Sequence, residues 1–89
     1  MVPLNITPNS NHSGVTRLGG FSIYEDSGSA TALIIFRKAT VGGQILAVVP
    51  LVASGGATIQ FDEAISSEGG VYVQESSGSI TGVLYNASA

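Results

Sequence analysis

From residue 15 onward, apolar and polar positions alternate in short stretches separated by glycine pairs. In Phe21–Glu25, Phe21 and Ile23 fall on one face and Ser22 and Tyr24 on the other. Ile59 and Phe61 alternate with Thr58, Gln60 and Asp62, and Val71 and Val73 with Tyr72 and Gln74. A period of two, with Val, Ile, Thr, Phe and Tyr in excess, is the pattern of a half-buried strand. Gly19-Gly20, Gly42-Gly43, Gly55-Gly56 and Gly69-Gly70 mark the breaks. The pattern predicts strands near Val15–Leu18, Phe21–Glu25, Thr31–Lys38, Gln44–Leu51, Ala57–Asp62, Gly70–Glu75 and Ser79–Tyr85. No window sustains a helical period, and Glu63–Ser67 reads as a polar turn. The expected fold is all-β: a small antiparallel β-sandwich or barrel of about seven short strands with an extended N-terminal arm.

Two stretches are apolar on both faces. Ala32, Ile34 and Phe36 lie on one side of their strand and Leu33 and Ile35 on the other, and Ile45–Val49 behaves similarly. Such strands belong in the centre of a domain or at a subunit contact.

FSIYEDSGSATALI (Phe21–Ile34) aligns without gaps to VYVQESSGSITGVL (Val71–Leu84). Glu25, Ser27, Gly28, Ser29 and Thr31 match Glu75, Ser77, Gly78, Ser79 and Thr81, and apolar positions correspond. Each copy reads strand, Ser-Gly turn, strand. Ser-Gly suits the positive-φ positions of tight turns, so each copy is expected to form a hairpin, Phe21–Glu25 with Thr31–Lys38 and Gly70–Glu75 with Ser79–Tyr85.

Residues 1–14 differ from the single β domain expected over 15–89. Pro3, Pro8, Asn9, Ser10, Asn11, Ser13 and Gly14 give them loop composition. Val2, Leu4 and Ile6 alternate, which suits a strand laid on a partner. The segment is expected to avoid pairing within its own domain and to touch a neighbouring chain.

Composition sharpens the picture. A chain of 89 residues supports a marginal core, usually reinforced by disulfides, a metal or oligomerisation. There is no cysteine, and His12 is the lone histidine. Only 10% of residues are charged, against about 25% in ordinary soluble domains. The mean hydropathy is +0.38. These values point to surface covered by another body, through oligomerisation or docking onto a larger body. Net charge is −3 and the cations are Arg17, Arg37 and Lys38, too few to neutralise a nucleic-acid backbone. The apolar runs are far shorter than the ~20 residues of a spanning helix. The N-terminus carries no signal-peptide pattern. Synthesis without export, including assembly inside an infected cell, is the resulting expectation, with no nucleic-acid or membrane partner.

Candidate chemistry is sparse. His12 is the one base for a Ser–His–acid set, and it lies in the N-terminal segment. Glu25, Asp26, Asp62, Glu63, Glu68 and Glu75 fall mostly at strand ends and turns, where solvated acids are ordinary. Asp62-Glu63 with Glu68 lacks the spacing of a calcium loop. No phosphate-cradling glycine motif is present. Asn5-Ile6-Thr7, Asn11-His12-Ser13 and Asn86-Ala87-Ser88 fit the glycosylation triplet but arise readily in a chain this rich in Asn, Ser and Thr. The expectation is a non-enzymatic protein without cofactor or metal. Its candidate partner contacts are Val2, Leu4, Ile6, Arg37 and Lys38, the last two closing the most apolar strand.

Three runs carry a resemblance: I-Y-E-D-S-G-S-A-T-A-L-I-I-F, Q-I-L-A-V-V-P-L, and G-G-V-Y-V-Q-E-S-S-G-S-I-T-G-V-L-Y. In them, from Phe21 to Tyr85, the chain resembles small structural proteins of tailed-phage virions. The likeness is one of texture and strand order. It implies a β-fold present in many copies on a virion, as in a head decoration (cement) protein bound to the major capsid protein on the outer capsid surface. It implies assembly in the host cytoplasm. A homo-oligomer is expected, with a trimer matching the three-fold points of a capsid. Phage tail and receptor-binding parts share the texture, and the alternative readings are a carbohydrate- or receptor-binding module of a tail or adhesin and a self-assembling cellular scaffold.

Overall fold

A computed structural model of the chain describes residues 2–87. Eight strands occur in chain order: β1 (Val2–Asn5), β2 (Ser10–His12), β3 (Arg17–Glu25), β4 (Ala32–Lys38), β5 (Ile45–Leu51), β6 (Gly56–Ser66), β7 (Val71–Ser76) and β8 (Ile80–Asn86). They form two four-stranded antiparallel sheets. Sheet A has the order β1-β8-β3-β6 and sheet B the order β2-β7-β4-β5. The fold is therefore all-β, two sheets packed face to face as a sandwich.

Alternation sorts the faces as the sequence implies. Phe21, Ile23 and Leu84 of sheet A meet Ala32, Ile34, Phe36, Val49, Leu51, Val71 and Val73 of sheet B in one core. At its centre the rings of Phe21 and Phe36 stack across the sheets, with centroids 4.7 Å apart and planes at 30°. Phe61 meets Phe21 edge-on at 6.2 Å.

The two expected hairpins do not form. β3 pairs with β6 and β8, β4 pairs with β5 and β7, and the two strands of each repeat lie in different sheets. The turn chemistry is present: Gly28 and Gly78 have φ of +74° and +69°, and Ser77 has +64°. Each Ser-Gly segment instead arches from one sheet to the other. In the first copy, the loop amides of Ser27 and Gly28 are bonded to the Glu25 carboxylate. The repeat reappears as pairing between copies. β3 lies against β8, with Phe21 opposite Leu84, and β4 lies against β7, with Phe36 opposite Val73.

The N-terminal segment belongs to the domain. β1 pairs with β8 and β2 with β7, so residues 2–12 run from the edge of sheet A to the edge of sheet B. His12 explains the second attachment. It is buried, its Nε2 accepts from the Thr7 N–H at 2.9 Å, and its Nδ1 faces the Val71 carbonyl oxygen at 3.1 Å. One ring nitrogen must accept and the other donate, which places the proton on Nδ1. The expectation of an arm without intradomain pairing is thus overturned. Proline and asparagine mark the bend between two short strands.

Gly19-Gly20 is not a break either. β3 runs through it with a bulge against both neighbours. A Cβ at Gly20 would stand 2.3 Å from the Ile59 carbonyl oxygen, so close backbone approach explains the glycine. Opposite it, β6 carries extra residues between Gln60 and Ile65 and then resumes pairing. The segment read as a turn at Glu63–Ser67 is therefore mostly strand.

Candidate interaction surfaces

The two-faced apolar strands lie side by side in sheet B. β4 is central and β5 is an edge. Leu33 sits opposite Pro50, Ile35 opposite Val48, and Arg37 opposite Ile45. The inward residues between them fill the core, so this set points outward. Ile45 is 48% and Val48 52% exposed, Leu33 and Pro50 are also exposed, and Ile35 is half-buried between them. Val41 and Val52, before and after β5, are also exposed, at 58% and 69%. A contiguous patch of this kind marks an interaction surface more often than scattered apolar residues do. Alternation signalled the β4 and β5 members. Val41 and Val52 lie outside any strand, where periodicity carries no signal.

The residues named as partner contacts are divided between the sheets. Val2 and Leu4 are exposed on β1, the outermost strand of sheet A. Ile6 packs against the core, and its N–H donates to the Gly82 carbonyl at 3.0 Å. Arg37 borders the sheet B patch, but its guanidinium is engaged: Nε donates to Gln74 Oε1 at 2.8 Å and Nη1 to the Gly43 carbonyl at 2.9 Å. Lys38 is half-buried at the end of β4, opposite Val71. Arg37 therefore borders the patch, Lys38 falls on the inward side of β4 with Phe36, and Val2 and Leu4 belong to the other sheet.

Sheet A turns a different face outward. Tyr85, Gly20 and Gln60 share a rung, then Val83, Ser22 and Thr58, then Thr81, Tyr24 and Gly56. The Ser22 and Thr58 hydroxyls are bonded at 3.0 Å. A depression of about 240 Å³, lined by Thr58, Ile59, Gln60 and Tyr85, lies beside the side-chain-free Gly20 rung.

The acidic residues at one end of the core hold structure together. Glu25 is 1% exposed. Its Oε2 accepts from the Ser27 hydroxyl (2.6 Å), the Ser27 N–H (3.2 Å) and the Ser79 N–H (3.0 Å). Its Oε1 accepts from the N–H groups of Gly28 (2.9 Å) and Ser54 (3.3 Å). The Ser27 hydroxyl and then the Ser79 amide hold its pKa down at about 2, against burial. One carboxylate thus fastens both repeat arches and the β5–β6 turn. Its oxygens are committed to donors, which leaves it unsuited to proton transfer. Asp26, beside it, accepts from the Thr81 hydroxyl, which lowers its pKa.

Glu75, its counterpart in the second copy, has no such cage. Its Oε1 is buried without a hydrogen-bond partner. Burial raises its pKa, helped by the charges of Asp26 and Glu25 and opposed by the Ile80 amide. A carboxyl whose folded pKa is raised stabilises the fold below its unfolded value of about 4.5, and that contribution is lost as pH rises through the folded value. Glu75→Gln is therefore expected to raise the thermal midpoint at pH 7 by roughly 2–5 °C, with the advantage vanishing below pH ~4. Differential scanning calorimetry across that range checks it, and a lower midpoint at pH 7 would show that the ionised side chain supports the fold.

Among the described residues, no group of three His, Cys, Asp or Glu side chains is placed to hold a metal ion. No helix of the structure is long and apolar enough to cross a membrane. Comparison with family models, curated proteins and solved structures finds no match.

Proposed function

We propose that this protein is a non-enzymatic virion structural module, a head decoration protein that binds the outer surface of a phage capsid and stabilises the head. The observation that carries the reading is the outward apolar face of sheet B. Leu33, Ile35, Ile45, Val48 and Pro50 form a continuous surface on a rigid sheet, in a chain with little charge to keep it dispersed. Covering that face by self-association gives a homo-oligomer, with a trimer suited to three-fold capsid points. Linked subunits then hold the major capsid protein by avidity, so that modest individual contacts give long residence. The phage-like texture of Phe21–Tyr85 supports the same reading.

Two experiments test it. Heads assembled without the protein should rupture at lower temperature and in lower salt than decorated heads. Heads of unchanged stability that fail to attach to cells would sink the cement reading and favour a receptor-binding role. In solution, Val48→Asp places a charge in the middle of the sheet B patch. Sedimentation velocity should show the wild type as an oligomer and the variant as a monomer. Thermal stability of the variant's isolated fold should change by no more than about 0.5 kcal/mol, because Val48 points away from the core. An oligomer that survives the substitution would place the contact elsewhere.

A further inference from the structure

We infer that the outer face of sheet A binds a short neutral oligosaccharide, with its first sugar ring in the depression between Tyr85 and Gln60. This goes beyond the assembly role and uses the opposite face of the sandwich. Strands β8, β3 and β6 present Tyr85, Gln60, Ser22, Thr58, Thr81 and Tyr24 outward over successive rungs. The tyrosine hydroxyls and the Gln60 amide offer donors and acceptors, and the bonded Ser22–Thr58 pair and Thr81, which donates to Asp26, keep acceptor capacity, which is what a sugar's hydroxyl groups require. The two tyrosines supply the apolar ring surface on which the C–H face of a pyranose packs.

The depression, about 240 Å³, is lined by Thr58, Ile59, Gln60 and Tyr85 beside the rung on which buried Gly20 pairs with both Tyr85 and Gln60. Its volume lies below the usual range for drug-sized ligands and suits one ring rather than a large cofactor. Tyr24 stands four residues along β3 from Gly20 and is 49% exposed. The strand rise sets it roughly 13–14 Å from the first position, so a chain of a few sugars reaches both aromatic groups.

Charge selects the ligand class. The three rungs from Gly20 to Tyr24 carry no cation, the charged group bonded to them is the Asp26 carboxylate on the Thr81 hydroxyl, and the chain as a whole bears −3. An anionic glycan or a phosphate finds no cation there, whereas a neutral sugar meets no penalty.

The test uses the full chain against immobilised maltotriose, cellotriose and chitotriose, with sialylated and sulfated glycans as the anionic arm, followed by calorimetric titration. Binding to at least one neutral trisaccharide is expected. Gln60→Ala or Tyr85→Ala should weaken it roughly tenfold, since one aromatic or polar contact is worth about that. Gln60 is exposed, so its variant keeps the fold even where loss of the half-buried Tyr85 ring does not, and melting curves confirm which variants are folded. Val48→Asp, on the other sheet, should bind sugar like the wild type, which separates this site from the assembly face. No neutral binding at millimolar concentration, binding of anionic glycans alone, or affinity unchanged in the folded variants would each overturn the inference.

Discussion

Phe21→Ala should strip the domain of about 3–5 kcal/mol of its stability. Phe21 is fully buried, stacks on Phe36 of the opposite sheet at 4.7 Å and touches Phe61 edge-on at 6.2 Å. It is therefore a principal contact across the sandwich as well as a large core side chain. Truncating a buried Phe costs about 3–5 kcal/mol, because transfer free energy is lost and the space left behind closes only in part. A domain of this size has roughly 4–13 kcal/mol in total. In urea, with a slope of about 1–1.5 kcal/mol/M for so small a chain, the midpoint should fall by roughly 2–5 M. Tyr24→Ala is the matching control. It removes an aromatic side chain from the same strand, but one that points to solvent, and its effect should stay within about 0.5 kcal/mol. A midpoint shift below about 0.5 M for Phe21→Ala would mean that Phe36 and Phe61 close over the gap and that the stack is dispensable.

The contrast between these neighbours was legible in the sequence. Phe21, Ile23, Val71 and Val73 are inward as alternation implies, and Tyr24, Tyr72 and Gln74 are not in the core. Alternation reports the two faces of a strand because successive side chains point to opposite sides. It reports nothing about which strands are neighbours. The repeat was visible, yet the hairpins inferred from it were wrong, since Ser-Gly segments serve a two-residue turn and a sheet-to-sheet arch equally well. What decides between them is where the loop amides find acceptors, and here Glu25 supplies one from the strand end itself.

The pairing of the N-terminal strands within their own domain was missed for a related reason. β1 has four exposed residues and β2 is three residues long, so neither shows a buried period. Their attachment depends on backbone pairing and on His12, whose ring bonds were not encoded in any local pattern. For the interaction surfaces the position is reversed. The two-faced strands announced an apolar contact, and the structure places them adjacent, so that two separate signals become one patch. The sheet A depression had no such signal, because its lining joins Thr58, Ile59 and Gln60 to Tyr85, residues far apart in the chain that β3 brings onto one sheet.

Glu25→Gln should be the most damaging single-atom change in the protein, and its effect should depend on pH. The substitution replaces an acceptor oxygen by an NH₂ group in a cage whose contacts all come from donors: Ser27, Gly28, Ser54 and Ser79. Whichever way the amide turns, donors face donors, and buried N–H groups are left unsatisfied. Rotation out of the cage is restricted, because Gly78 approaches so closely that even a Cβ there would lie 3.1 Å from Glu25 Oε2. The thermal midpoint at pH 7 should fall by roughly 10 °C. The carboxylate's pKa is depressed in the folded protein from 4.5 to about 2. Its contribution is therefore complete above pH 4.5 and is lost as pH falls through about 2. The gap between wild type and variant should be constant from pH 7 to about pH 5 and should close progressively below that, as the wild-type side chain takes up a proton and itself becomes a donor. Parallel melting curves at stepped pH measure the gap directly. Other carboxylates titrate in the same range, but they are common to both proteins and largely cancel in the difference. A gap that stays constant down to pH 2 would show that the cage recognises the shape of the side chain and not its charge, and the arches would then be held by packing alone.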